Sequence, residues 1–247
     1  MKRSSRVEVL GVPGLPEIEM GDDLAALISE RCQLEDGDVV VVAQKVVSKA
    51  EGQVRDLRQV TVSDRARELA AQIDGDARVV QLILDESVRV LRQERVLIVE
   101  TRHGFVCANA GIDHSNVPGG HFVTLLPEDS DASARRLRAA LRERSGAEVA
   151  VIVADTFGRA WRMGIENVAL GVAGLPALID YRGLKDDFGQ AMYATVIAIA
   201  DELAAAAELV MGKTSRVPVA VIRGYVAEGP EGAGRELIRP AELDLFR

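Results

Sequence analysis

Carboxylate, hydroxyl and guanidinium side chains follow a run of small apolar residues in the segment VAVIVADTFGRAWRMG, residues 149 to 164. Asp155 and Thr156 come first, and Arg159 and Arg162 follow a few residues later. Carboxylate and hydroxyl oxygens are ligands that Mg²⁺ and Mn²⁺ prefer, and guanidinium groups match phosphate oxygens. The apolar run predicts a strand that ends just before Asp155, with a ligand site at its carboxyl end. The alternative is that Asp155 caps a helix and that both arginines are solvated.

Two further segments supply matching groups. In CANAGIDHSN a predicted strand runs into a turn that carries Asp113 and Asn116. In VVVVAQKVVSKAEG a predicted strand carries on into Lys45 and Lys49, and a lysine ammonium is a compact donor for phosphate. Each segment alone has a simpler explanation, because Asn and Asp shape turns and lysines extend from edge strands into solvent.

Together the three segments contain the groups that hold a nucleoside triphosphate through a divalent cation. Asp113 and Asp155 are predicted to hold one cation, and Thr156 is predicted to hold a second. Two such ions typically lie about 4 Å apart and stabilise the attacking and leaving oxygens of a phosphoryl group. Phosphoryl transfer depends mainly on positioning and charge neutralisation, which these side chains would provide.

Other nucleotide-binding and hydrolase signatures are incomplete in this sequence. Gly212, Lys213 and Thr214 resemble the end of a P-loop, but the glycine required five residues before Gly212 is replaced by Ala207, inside a predicted helix. No GxGxxG motif follows a predicted strand, and the GxSxG motif is absent. The sequence therefore predicts neither a P-loop, nor a dinucleotide-binding fold, nor a nucleophile elbow.

The composition narrows the class of protein and partner. The chain has 247 residues, of which 48% are hydrophobic and 28% are charged, as is typical of a globular protein. The formal net charge of −8 and the aromatic content of 4% disfavour a nucleic-acid partner. No apolar run suits a signal peptide or a membrane span, and two cysteines without metal-like spacing suit a reducing compartment. We therefore expect a cytoplasmic protein with no membrane partner.

Short valine- and isoleucine-rich runs predict the strands that must position these groups. They are residues 7–10, 39–43, 96–99, 105–108, 149–154 and 217–222. Apolar periodicity predicts helices at 22–31, 63–73 and 194–211. Two more helices are predicted from their apolar faces, one made by Val80, Leu84, Val88 and Leu91 and the other by Ala134, Leu137 and Leu141. Gly146 and Gly212 are predicted as C-terminal caps.

The order of these elements favours an α+β class with a mixed sheet over a doubly wound fold, because two strands are close enough to form a hairpin through His103 and Gly104. No linker divides the chain, so residues 1–247 are expected to form a single domain. The segment GVPGLP at 11–16 recurs as GVAGLP at 171–176. The repeat is either a chance likeness of two loops or the trace of a duplication into two related halves.

Several segments together make the chain resemble the coenzyme F420-0:L-glutamate ligase family, from about residue 7 to residue 246. They are GLPEI, GDDLAALI, DGDVVVVAQKVVSKAEG, NAGIDHSNV, ADTFGRAWRMG, IADELAAAAELVMGK and VPVAVIRG, in this order. The resemblance implies that family's α+β fold of two intertwined halves and a homodimer. It also implies one ligase domain. Actinobacterial relatives carry a flavin-reductase-like domain after it, which is not expected here because the sequence stops at Arg247.

The resemblance further implies a reaction. The carboxylate of the lactyl-phosphate tail of F420-0 attacks the γ-phosphate of GTP, so that an acyl phosphate forms and GDP leaves. The amine of L-glutamate then attacks the activated carbonyl, which yields an amide and phosphate and splits one difficult step into two. Further γ-linked glutamates are added by some members. The family uses Mn²⁺ or Mg²⁺, expected here in two sites, and some members respond to K⁺.

Site residues are carried over one by one from the resemblance. The GTP pocket would be lined by Leu15, Pro16, Glu17 and Ile18, and the nucleotide would be contacted by Gln44, Lys45 and Asn116. Lys49 would contact phosphate in catalysis. Metal would be bound by Asp113, Asp155 and Thr156. Arg159 and Arg162 are predicted, from their chemistry alone, to neutralise phosphate or acyl-phosphate charge during catalysis.

Two positions depart from the family pattern. Gln44 precedes Lys45 where many members have a serine, and Lys213 stands where archaeal members often have Glu or Gln near the second metal. Lys213 therefore puts the second metal in doubt. Two other functions stay open: a ligase of the same scaffold that acts on a modified, for example dehydro, precursor, and a sensor that binds GTP and metal without catalysis.

Overall fold

The computed structural model describes residues 6–114 and 120–244 and has an α+β architecture. Its strands are β1 (Glu8–Gly11), β2 (Val39–Ala43), β3 (Val54–Asp56), β4 (Ser87–Gln93), β5 (Leu97–Thr101), β6 (Val106–Ala108), β7 (Phe122–Thr124), β8 (Ala150–Arg159), β9 (Arg162–Ala173), β10 (Ile179–Asp180), β11 (Val196–Ile197) and β12 (Val219–Arg223). Its helices are α1 (Leu24–Ser29), α2 (Gln44–Ala50), α3 (Asp64–Ile73), α4 (Ala77–Asp85), α5 (Ser130–Ser145) and α6 (Ile199–Met211).

A five-stranded mixed sheet in the order β1-β12-β2-β8-β9 forms the centre of the molecule. Strands β2 and β8 are parallel, and each of the other neighbouring pairs is antiparallel. The parallel register pairs Ala43 with Ala154, so the carboxyl end of β2 lies beside the residue that precedes Asp155. The mixed sheet confirms the predicted α+β class, whereas intertwined and duplicated halves remain a prediction.

Helices cover both faces of this sheet, which explains why the central strands are continuous runs of valine, isoleucine and alanine. Successive side chains of a strand point to opposite faces. Val151 and Val153 of β8 therefore pack in one core with α1 and α5, and Ile152 and Ala154 pack in a second core with α6. Continuation of this alternation would place Asp155 on the first face and Thr156 on the second.

A smaller layer packs helices α3 and α4 against the three-stranded sheet β4-β5-β6. Leu69, Val80, Ile83, Leu97 and Val99 are buried in its core. The predicted hairpin between β5 and β6 is confirmed, and strand β3 pairs with β7 nearby. This pairing fixes β7, the strand that positions Asp113.

Helix ends behave as the sequence predicts. The Ser63 hydroxyl accepts a hydrogen bond from the backbone N–H of Ala66 and so caps α3. Gly146 ends α5 in the left-handed region with a φ of 73°, and Gly212 follows α6 with a φ of 57°. Among the described helices, none is long and apolar enough to cross a membrane.

Four expectations about the elements are wrong. The helix predicted at 194–211 begins only at Ile199, and Val196–Ile197 form strand β11. Helix α4 ends at Asp85, so Val88 and Leu91 lie in strand β4, where the alternation of a strand mimics part of a helical period. Strand β8 does not end before Asp155 but continues to Arg159, because the unpredicted strand β9 pairs with it along its whole length. Lys45 and Lys49 lie not on a prolonged strand but on helix α2, which begins directly after β2.

The two related hexapeptides lie at opposite edges of the central sheet. The first begins at the end of β1 and the second begins within β9. Gly14 and Gly174 both adopt positive φ, 80° and 84°, as turns often require. The likeness of the segments thus extends to a similar glycine turn, which both explanations of the repeat accommodate.

Candidate active site

Three separate elements bring charged groups to one end of strands β2 and β8. Helix α2 begins at Gln44, so Lys45 lies in its first turn, two residues after the point where Ala43 of β2 pairs with β8. Asp155 follows the paired residue Ala154 on β8. Asp113 is fixed by two backbone hydrogen bonds with Thr124 of β7, of 3.1 and 2.9 Å.

Lys45 and Asp113 form an ion pair, and the charges of both act on Asp155. The Nζ atom of Lys45 lies 2.6 Å from Oδ2 of Asp113. Burial, together with the negative charge of Asp113, raises the pKa of Asp155 to about 6, against the backbone N–H of Thr156 and the positive charges of Lys45 and Lys213. The structure therefore brings Asp113, Asp155 and Lys45 together, and their roles toward a ligand remain a prediction.

The carboxylates of Asp113 and Asp155 are the donors that this site offers to a cation. Within residues 6–114 and 120–244, no group of three or more His, Cys, Asp or Glu side chains is arranged to hold a metal ion. Mg²⁺ commonly binds through one or two carboxylates, with substrate phosphates and waters completing its coordination. The donor set fits a cation that binds together with a nucleotide better than one held by the protein alone.

The segment that carries Leu15 to Ile18 contacts helix α2 through one ion pair. Lys49 is only 6% exposed, and its ammonium group pairs with the carboxylate of Glu17. Ile18 is buried in the core, Leu15 packs against that core, and Pro16 is exposed. The pair thus holds the GLPEI segment against α2 and places a lysine at its inner edge.

Gln44 is directed into the protein. Its amide Nε2 donates to the backbone oxygen of Leu125 at 2.9 Å and to the Ser48 hydroxyl at 2.5 Å. Both Gln44 and Ser48 are buried. A nucleotide contact from Gln44 would therefore have to use its backbone or require this amide to turn, and that predicted contact is untested.

Thr156 belongs to a separate polar cluster on β8, β9 and the end of α6. Its hydroxyl donates to Oδ1 of Asn167 at 2.7 Å and accepts from Nζ of Lys213 at 2.5 Å. Lys213 also forms an ion pair with Glu208 at 2.9 Å. Neither Asn167 nor Glu208 was predicted as a site residue. For Asn167 the reason is that no sequence signal indicated β9, the strand that places it opposite Thr156.

The two arginines lie in the outer part of the β8–β9 hairpin. Arg159 donates to Oε2 of Glu166 at 2.7 Å and to the backbone oxygen of Met163 at 3.0 Å. Arg162 is exposed at the start of β9. The structure does not place either guanidinium in contact with Asp113 or Asp155, and Asn116 lies outside the described residues.

Cys107 on β6 is a neighbour of the site that the sequence did not indicate. Burial, and secondly the charge of Asp155, raise the pKa of its thiol to about 12. The thiol is therefore neutral at physiological pH and contributes no charge beside the carboxylates.

Comparison with known proteins decides the family. Residues 14–224 match the model of the F420-0:Gamma-glutamyl ligase family. The chain belongs to this family.

A relative named coenzyme F420:L-glutamate ligase from Archaeoglobus fulgidus is 46% identical over 98% of this chain and 97% of its own length. A relative of the same name from Methanothermobacter thermautotrophicus is 45% identical over 98% of this chain and 99% of its own length. Another, from Methanocaldococcus jannaschii, is 42% identical over 100% of this chain and 99% of its own length. Membership in the F420-0:Gamma-glutamyl ligase family confirms the resemblance on which the site residues were assigned.

Proposed function

We propose that this protein is a GTP-dependent ligase that joins L-glutamate, through an amide bond, to the lactyl-phosphate tail of coenzyme F420-0. Further γ-linked glutamates would be added by the same chemistry. Relatives that match nearly the whole chain carry the name coenzyme F420:L-glutamate ligase. The observation that carries the proposal is the convergence of Asp113, Asp155 and Lys45 at the end of β2 and β8.

Mn²⁺ or Mg²⁺ would be held by Asp113 and Asp155. Burial and the negative charge of Asp113 both raise the pKa of Asp155, which means that its ionised form is destabilised. A cation bound between the two carboxylates would offset this unfavourable negative charge. When bound, the cation supplies positive charge that stabilises phosphoryl transfer. Asp155 must be ionised to act as a ligand, so cation binding and loss of its proton are coupled.

Lys45 and Lys49 would position the phosphates of GTP. Lys45 already lies beside one of the proposed ligands, and its ammonium could move from Asp113 to a phosphate oxygen once a cation neutralises that carboxylate. Lys49 is held at the inner edge of the GLPEI segment by Glu17, which limits its side-chain freedom before GTP binds. The exposed backbone near Pro16 would then line the nucleotide.

The proposed reaction has two steps. A carboxylate oxygen of the F420-0 tail attacks the γ-phosphorus of GTP, the bond to the β–γ bridging oxygen breaks, and GDP leaves. The glutamate amine then attacks the acyl phosphate, the carbon–oxygen bond to phosphate breaks, and the amine loses a proton as the amide forms. The side chains of this site contribute positioning and charge neutralisation rather than a covalent intermediate.

We also propose that two copies of the chain form a homodimer through the β8–β9 hairpin. Trp161, Met163 and Ile165, near the tip, are 80%, 95% and 64% exposed. Phe188 and Tyr193, in the segment between β10 and β11, are also highly exposed. Aromatic and methionine side chains are enriched in protein interfaces, so the tip of the hairpin fits a second copy.

Product analysis tests the enzymatic proposal. Purified protein is incubated with GTP, Mn²⁺, L-glutamate and F420-0, and products are analysed by mass spectrometry. The expected product is F420-0 heavier by one or more glutamyl residues, with phosphate release that requires both glutamate and F420-0. Product formed only from a dehydro precursor would favour the modified substrate. GTP binding with no product from either precursor would favour a sensor and contradict the ligase.

A further inference from the structure

Lys213 lies among three oxygen atoms that belong to different elements. Its Nζ atom is 2.5 Å from the Thr156 hydroxyl, 2.9 Å from a carboxylate oxygen of Glu208 and 3.5 Å from Oδ1 of Asn167. Lys213 directly follows Gly212, which ends α6 with a φ of 57°. The ammonium group therefore occupies an oxygen-lined position where a small cation could otherwise bind.

The Thr156 hydroxyl has little capacity left for a metal. It gives its proton to Asn167 and accepts a hydrogen bond from Lys213. A divalent cation bound to the same oxygen would lie close to a fixed positive charge, and like charges repel strongly when water is partly excluded. The residues present therefore do not fit the second divalent ion that was expected at Thr156.

We propose that the Lys213 ammonium acts as a tethered cation, so that the chain binds one divalent ion per nucleotide and needs no K⁺. This inference rests on the proposed GTP-dependent function. An ammonium group and K⁺ carry the same charge and are similar in size, so one can replace the other among oxygen ligands. The charge of Lys213 also acts on Asp155, which connects the cluster to the proposed first cation site.

Counting bound Mn²⁺ by electron paramagnetic resonance tests this inference without relying on activity. The wild-type protein is titrated with Mn²⁺ in the presence of a non-hydrolysable GTP analogue, with and without K⁺. Lys213→Gln removes the ammonium but leaves Thr156, Asn167 and Glu208 in place. Lys185→Gln is the matched control, because Lys185 is exposed on the segment between β10 and β11.

The expected stoichiometry is one nucleotide-dependent Mn²⁺ per chain in the wild type and in Lys185→Gln, with no effect of K⁺. Lys213→Gln should bind one additional cation, either a second Mn²⁺ or a K⁺. Binding of K⁺ would appear as a several-fold, K⁺-dependent gain in affinity for the GTP analogue. Two Mn²⁺ ions in the wild type, or a Lys213→Gln protein that gains neither ion, would overturn the tethered-cation role and leave the GTP-dependent function intact. No nucleotide-dependent Mn²⁺ in any variant would overturn both.

Discussion

Asp155 is the residue on which pH dependence should centre. Burial and the charge of Asp113 raise its pKa from 3.8 to about 6 in the metal-free protein. Below about pH 6 its carboxyl holds a proton that a bound cation must displace, so Mn²⁺ affinity should fall about tenfold per pH unit between pH 6 and pH 5. Calorimetric titrations across this range measure the slope, which should be much flatter in Asp155→Asn. An equally steep slope in that variant would contradict the assignment.

The same shift has a definite sign for stability. Because the pKa of Asp155 is higher in the folded protein, the folded state binds more protons than the unfolded state between about pH 4 and pH 6. The free energy of unfolding of the metal-free wild type, relative to Asp155→Asn, should therefore decrease as pH rises through this window. Denaturant unfolding at several pH values measures it, and a constant difference would show that this carboxyl is not perturbed.

Lys49 should contribute to GTP binding through its charge. A hydrogen bond from a charged group contributes about 1.5–3 kcal/mol, so Lys49→Met should weaken GTP binding about 10- to 150-fold. Glu17→Gln is the informative companion, since it breaks the ion pair but keeps the ammonium. Calorimetry should find a several-fold smaller loss of GTP affinity in Glu17→Gln than in Lys49→Met, because only the positioning of the ammonium group is lost. Equal losses in both variants would mean that the pair has only a structural role.

At the scale of elements, the close approach of β9 to helix α5 depends on a missing side chain. A Cβ atom at Gly171 would collide with the backbone oxygen of Ser130, whereas a Cβ at Gly158 would meet nothing within 4 Å. Gly171→Ala should therefore lower the free energy of unfolding by about 3 kcal/mol, which lowers Tm by roughly 6–12 °C.

Gly158→Ala is the matched control in the neighbouring strand, and calorimetric melting compares the two variants. Its melting temperature should stay within about 2 °C of the wild type. Similar melting temperatures for Gly171→Ala and the wild type would mean that β9 and α5 are farther apart than the structure shows.

The elements that the sequence revealed are those with strong local signals. Strand β2 and the first half of β8 are buried apolar runs, and α3 and α5 carry a recognisable cap at one end. Strand β9 was missed because its first half is mostly exposed and mixes polar with apolar residues, while its second half is buried, so neither alternation nor an apolar run covers its length. Without β9, no pattern could place Asn167 opposite Thr156.

The candidate site shows the same division. The residue types at Asp113, Asp155 and Lys45 were evident from the sequence, but their convergence depends on the parallel pairing of β2 with β8 and on the bridge to β7. The contact of Lys213 with Thr156 depends on packing between distant parts of the chain. Such contacts leave no periodic trace in the sequence.

At the scale of the whole molecule, the hairpin surface predicts a homodimer. Met163 is 95% exposed near the tip of the hairpin. A carboxylate at this position would be buried without a partner in the proposed interface, which is costly. Met163→Glu should therefore shift the protein from dimer to monomer in light-scattering chromatography, with Leu209→Glu, exposed on α6, as the control. A monomeric wild type would contradict the proposed interface.

The central claim is that carboxylates from two distant segments share one cation in the GTP complex. Crystals soaked with Mn²⁺ and a non-hydrolysable GTP analogue, measured at the manganese absorption edge, test it most directly. We predict an anomalous peak within coordination distance of both Asp113 and Asp155 and of a phosphate oxygen. A bound analogue with its Mn²⁺ in contact with neither carboxylate would contradict the claim.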